Sequence, residues 1–84
     1  MEIQTVLETL QEKYVNKEIF FYENINSNNY SFYTFQEHKS KSIKSTKCKG
    51  VIKDIEIDSD IDDYDYVLVI EYNDKKVYLK LSRN

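Results

Sequence analysis

Two runs of opposite charge lie back to back in this chain, and they are the residues with most to offer chemically. Lys39, Lys41, Lys44, Lys47, Lys49 and Lys53 come first, and Asp54, Glu56, Asp58, Asp60, Asp62, Asp63 and Asp65 follow at once. Lysines beside aromatic rings suit single-stranded nucleic acid, because ammonium groups track the phosphates while bases stack on the rings. Tyr30, Phe32, Tyr33 and Phe35 stand just upstream. Against this, the lysine run holds no Arg, the better reader of phosphates and base edges. The carboxylates that follow repel phosphate unless they lie on another face.

The acidic run suits a different partner. Carboxylates at this density cost stability through mutual repulsion, which makes a use for them more plausible. They would steer a basic protein surface onto the patch. Tyr64 and Tyr66 would supply the aromatic anchors that interfaces favour. The expected partner-binding set is therefore Asp58, Asp60, Asp62, Asp63, Tyr64, Asp65 and Tyr66, with the six lysines as the alternative, nucleic-acid-binding set. A nucleic-acid-binding protein such as a nuclease is the natural class of basic partner, since carboxylates can occupy its phosphate groove.

Metal and catalytic chemistry are poorly supported. Asp58-Ser59-Asp60-Ile61-Asp62 matches the first three ligand positions of an EF-hand loop. The match then fails, with Asp63 where Gly is needed and Val69 where a bidentate Glu is required. His38 and Cys48 are the only residues of their types. Without an orienting third group they make a weak nucleophile-base pair. One Gly in the chain leaves no phosphate-cradling loop. No enzyme, metal or cofactor is expected.

The elements that position these residues can be read from periodicity. With 84 residues a single domain, 1–84, is expected, with a modest core. Eight Tyr and four Phe enlarge that core in place of any disulfide. No apolar run is long enough to cross a membrane. Glu2 and Glu8 sit where a secretion signal needs positive charge and an apolar core, so a cytoplasmic location is expected.

Residues 2–15 read as an amphipathic helix with Ile3, Leu7, Leu10 and Tyr14 on one stripe. A capping box at Thr5-x-x-Glu8 would start it near residue 6, and Asn16 is a left-handed stop. Residues 17–23 and 30–36 read as strands with apolar residues on both faces, which points to cover on both sides for 17–23 and to curling or two-sided cover for the pair. Residues 24–29 read as a turn-rich loop and residues 37–47 as a flexible one. Residues 48–58 form a third strand whose phase needs a bulge near Ile52-Lys53, and residues 58–64 an acidic loop. Strands 65–72 and 75–81 make a hairpin through a type I′ turn at Asn73-Asp74. In that register Tyr72 faces Lys75, Ile70 faces Val77, Leu68 faces Leu79 and Tyr66 faces Leu81. A slip of one residue would drive Lys76 and Lys80 into the core. The expected fold is α+β: an N-terminal helix, then a five-stranded antiparallel sheet curled into a small SH3-like or OB-like barrel.

In size, composition and the Asp58–Asp65 cluster, the chain resembles the small, acidic, Tyr- and Asn-rich inhibitors that phages and mobile elements direct against host defence, such as anti-CRISPR and anti-restriction proteins. The resemblance implies a non-enzymatic protein that binds a defence nuclease in the host cytoplasm. A net charge of -3 is mild for a full nucleic-acid mimic, so a localised acidic plug is expected instead. A phage or bacterial structural or assembly protein, bound through its hairpin edge, is the remaining alternative.

Overall fold

The computed structural model describes residues 3–60 and 63–81. Helix α1 (Ile3–Tyr14) is followed by five strands: β1 (Glu18–Asn26), β2 (Ser31–Thr34), β3 (Ile43–Asp60), β4 (Asp63–Tyr72) and β5 (Lys75–Leu81). All pairs are antiparallel, in the order β2-β1-β3-β4-β5. The sheet curls into a half-barrel whose two edge strands, β2 and β5, approach within Cα distances of 8 Å. This is the expected α+β architecture.

Strand β3 sets the curvature. Eighteen residues of straight strand would span about 59 Å at about 3.3 Å per residue. The molecule is only 44 Å in its longest dimension, so β3 must bend. The bend has two local sources. Gly50 lies where the β4–β5 hairpin folds against β1, and a Cβ there would meet Ile70 Cγ2 at 2.5 Å and the Glu71 carbonyl at 2.8 Å. The register then shifts between Ile52 and Asp54, at the expected bulge. Before the bend β3 pairs with β1, from Ile43 opposite Asn26 to Val51 opposite Glu18. After it β3 pairs with β4, from Val51 opposite Glu71 to Asp60 opposite Asp63.

The core fills the hollow between these two halves. Phe21, Ile70 and Val77 are fully enclosed, with Cys48, Ile52, Ile55, Leu68 and Leu79 around them. Phe21 meets Tyr72 and Tyr33 edge-on, at ring-centre distances of 5.3 and 6.0 Å. Leu7 and Leu10 of α1 pack on this cluster. The helix begins at Ile3, so Thr5 lies within it and no capping box forms; the Thr9 hydroxyl donates to the Thr5 carbonyl instead. Asn16, at φ 72°, ends the helix as expected, and its backbone N–H donates to the Ile52 carbonyl. Gln11 ties α1 to β3 by donating to the Asp54 carboxylate and the Ile55 carbonyl.

The β4–β5 hairpin has the expected register at every pair. Asn73 and Asp74 both take positive φ, 50° and 62°, as a type I′ turn requires.

Three expectations need correction. The segment 37–47 is not wholly a loop, because β3 begins at Ile43. Its pairing partner is the backbone of β1, so Lys44 to Lys47 need no apolar period of their own. Strand β1 likewise runs on to Asn26, through part of the expected 24–29 loop. Finally, β1 is not covered on both sides, since Phe20 is 58% exposed, and Tyr30, just before β2, is 66% exposed.

Candidate functional site

The site is built on the outer face of β2-β1-β3, the side turned away from the core. Directly opposed residues share a face of a sheet. Phe20 faces Lys49, Tyr22 faces Lys47 and Thr34, and Asn24 faces Ser45 and Phe32. Their chain neighbours Phe21 and Cys48 point into the core. Two aromatic residues of β1 and one of β2 therefore share a surface with two strand lysines.

The connection 35–42 crosses this face. Strands β2 and β3 flank β1 on opposite sides, so the chain between them must pass over β1. A hydrogen-bond chain holds it there. The His38 N–H donates to Ser45 Oγ, and the Ser45 hydroxyl donates to Asn24 Oδ1 at 2.7 Å. Asn24 Nδ2 donates to Thr34 Oγ1 at 3.0 Å and to the Phe32 carbonyl at 3.3 Å, and the Thr34 hydroxyl donates to the Gln36 carbonyl. Asn24 is completely buried beneath the crossing, with both ends of its amide satisfied.

The crossing leaves aromatic surface on both sides of it. On one side Phe20 is open, with the Lys47 ammonium 4.6 Å from its ring centre. On the other, Tyr30 and Phe32 stack at 6.5 Å and 25°, and the His38 ring meets Phe32 edge-on at 5.2 Å. Lys39 and Lys41 ride on the crossing and are exposed. Lys49 is held 3.3 Å from Glu18 as a solvated pair, which contributes little.

Of the six expected lysines, the structure brings Lys47 and Lys49 onto the aromatic face, with Lys39 and Lys41 on the segment crossing it. Lys44 projects from the other face of β3, opposite Ile25, and Lys53 is exposed at the bulge. Of the four expected rings, Phe32 and Tyr30 belong to the site. Tyr33 and Phe35 pack against the core instead. Sequence reasoning missed Phe20 and Tyr22 as platform residues. The signal was available in their parity, which they share with Asn24. His38 and Cys48 lie on opposite faces of the same sheet, so they form no catalytic pair.

The acidic run is not an open loop. Strands β3 and β4 continue to Asp60 and from Asp63, and place Asp58 opposite Asp65, Ser59 opposite Tyr64, and Asp60 opposite Asp63. The backbones of a two-stranded ladder satisfy each other, which draws the chain straight through its polar residues. Asp62 lies outside the described residues, and Asp60, Asp63 and Tyr64 are described by backbone pairing alone. Lys80 reaches the base of the ribbon, 2.9 Å from the Asp58 carboxylate and 3.8 Å from that of Asp65. Tyr66 packs against the core rather than projecting with the carboxylates.

At the turn end of the β4–β5 hairpin, the titrations of Tyr72 and Lys75 are displaced. The Cys48 thiol beside the Tyr72 hydroxyl, then burial, hold Tyr72 above its ordinary 10.0. The Tyr33 hydroxyl, with Glu23 beside it, raises Lys75 above 10.5. Among the described residues no group of three or more His, Cys, Asp or Glu is placed to hold a metal ion. No helix among them is long and apolar enough to cross a membrane. No protein-family model matches the chain, and no curated protein or solved structure matches it.

Proposed function

We propose that the protein is a non-catalytic binding module that takes single-stranded nucleic acid on the outer face of β2-β1-β3. The observation that supports this most is the exposed Phe20 ring beside Lys47, continued across the 35–42 crossing by the Tyr30–Phe32 stack. The ring and the ammonium attract each other, yet an open Phe20 contributes little to the core. Bases would stack on Phe20, Tyr22 and Tyr30, and Lys39, Lys41, Lys47 and Lys49 would follow the phosphates. Fluorescence anisotropy with labelled oligothymidine and oligouridine at low salt tests it. Saturable binding that weakens with salt and is lost in a Phe20→Ala, Lys47→Glu variant is expected. No saturable binding to either strand would remove the proposal.

A second role rests on the acidic ribbon. Strand β1 leaves β3 at Val51, and the last described pair of β5 is Leu81 opposite Tyr66, so among the described residues the last three pairs of the ribbon have no flanking strand. Such a ribbon can enter a groove. It would dock on a basic surface of a nucleic-acid-handling protein, as a phage-type inhibitor of host defence does. Affinity capture with the intact chain, and with Asp58, Asp60, Asp62, Asp63 and Asp65 replaced by Asn, distinguishes the two roles. A partner retained equally by both forms would exclude the ribbon.

A further inference from the structure

Away from both charged surfaces, the hollow between α1 and the sheet keeps a cavity of about 200 Å³. Leu10 and Tyr14 close it from the helix, Ile19 and Leu68 from the sheet, and Phe35 and Leu81 from the seam between β2 and β5. Every lining side chain is aliphatic or aromatic. A cavity of about 150 Å³ lined in this way stays dry and accepts a benzene-sized guest, so this one has room for slightly more. It also has a way in. Phe35 and Leu81 line a second, more open trough on the outside of the same seam, together with His38, Lys39 and Lys80. Leu81 is 38% exposed and Tyr14 40%, so the rim residues are partly wet.

The trough has a cationic member available. Lys80 is engaged by Asp58 and Asp65. Glu37 also lines the trough. Among the described residues no ion pair engages Lys39. An apolar chamber opening onto an unneutralised ammonium selects a molecule with one apolar and one anionic end.

We propose that the α1–sheet cavity is a binding site for a small amphiphilic anion, its hydrocarbon end between Leu10, Ile19 and Leu68 and its carboxylate at Lys39. Phe35 and Leu81 form the neck between the two ends. The chamber lies on the inner side of the sheet, away from the outer face of β2-β1-β3; Lys39, on the 35–42 crossing, is shared by the two sites, and filling of the chamber is read with no nucleic acid present.

Octanoate and 1-octanol, titrated into the methyl-labelled protein and followed by NMR, test this. Octanoate should give saturable shifts at Leu10, Ile19, Leu68 and Leu81. Leu10→Trp, which fills the chamber, should weaken octanoate by about tenfold or more. Lys39→Glu should weaken octanoate and leave 1-octanol unchanged. Absence of saturable shifts, or octanoate binding that survives the filled chamber, overturns the site. Equal effects of Lys39→Glu on both probes overturn the carboxylate's place. Should Leu10→Trp fail to fold, Leu81→Trp at the partly exposed neck gives the same readout.

Discussion

The two halves of β3 belong to one strand and share almost nothing else. From Ile43 to Gly50 the strand has β1 on one side and, among the described residues, no strand on the other. Its outward residues include Lys47 and Lys49, set against Tyr22 and Phe20 of β1. From Asp54 to Asp60 it pairs with β4, and at its far end Asp58 and Asp60 face Asp65 and Asp63. The first half contributes to a broad surface of three strands crossed by a connection. The second half leaves the body as a two-stranded ribbon. Sign of charge is the lesser difference. A wide sheet can present several rings at once to a flexible chain, whereas a ribbon offers one narrow tip to a groove. The single glycine at the boundary lets one strand serve both.

The comparison breaks most completely at that glycine. Gly50→Val should cost about 3 kcal/mol or more, or prevent folding, because the new side chain overlaps Ile70 and a Glu71 carbonyl that cannot turn away. Urea denaturation measures it. Next comes Asn24→Leu, expected to cost about 1–3 kcal/mol because the Ser45 hydroxyl loses its acceptor and the Thr34 oxygen and Phe32 carbonyl lose their donor. Hydrogen exchange should show the 36–42 crossing loosened while the β4–β5 hairpin stays protected. Phe20→Ala sharpens the functional side. It should leave stability within about 0.5 kcal/mol and weaken single-strand binding by about 1–3 kcal/mol, one lost stack. At the ribbon, Asp58→Asn with Asp65→Asn should move stability by no more than about 0.5 kcal/mol, since two solvated ion pairs of Lys80 and a repulsive pair are removed together.

The smallest effect is a pH dependence. Tyr72 and Lys75 both hold their protons more tightly when folded than their ordinary values of 10.0 and 10.5. The folded chain then carries more bound protons than the unfolded one through that range. Stability should be insensitive to these groups below that range and fall as pH rises through it. Thermal melts on both sides of pH 10.0 check the sign.

Much of this architecture was legible because it rests on local pattern. The alternation in β4 and β5, with Asn73-Asp74 between them, fixed every pair of that hairpin. The broken phase at Ile52-Lys53 marked the bulge. What could not be read depends on partners distant in sequence. Lys44, Ser45 and Thr46 have no apolar rhythm, and only the ladder with β1 makes them strand. Asn24 looks like a turn residue beside Asn26 and Asn28. It is buried because a segment more than ten residues later passes over it. The aromatics of β1 and β2 looked covered on both sides because composition does not show which face a crossing connection occupies.

Cys48 gives this molecule an internal clock. Its thiol is sealed in the core, opposite Phe21 and beneath the folded-over hairpin. A thiol reagent can reach it only while the two halves of the bent sheet stand apart. With one cysteine in the chain, the rate of labelling counts those openings alone. Whether a nucleic-acid strand on the outer face slows that rate would show how firmly the far side of the sheet senses what is bound.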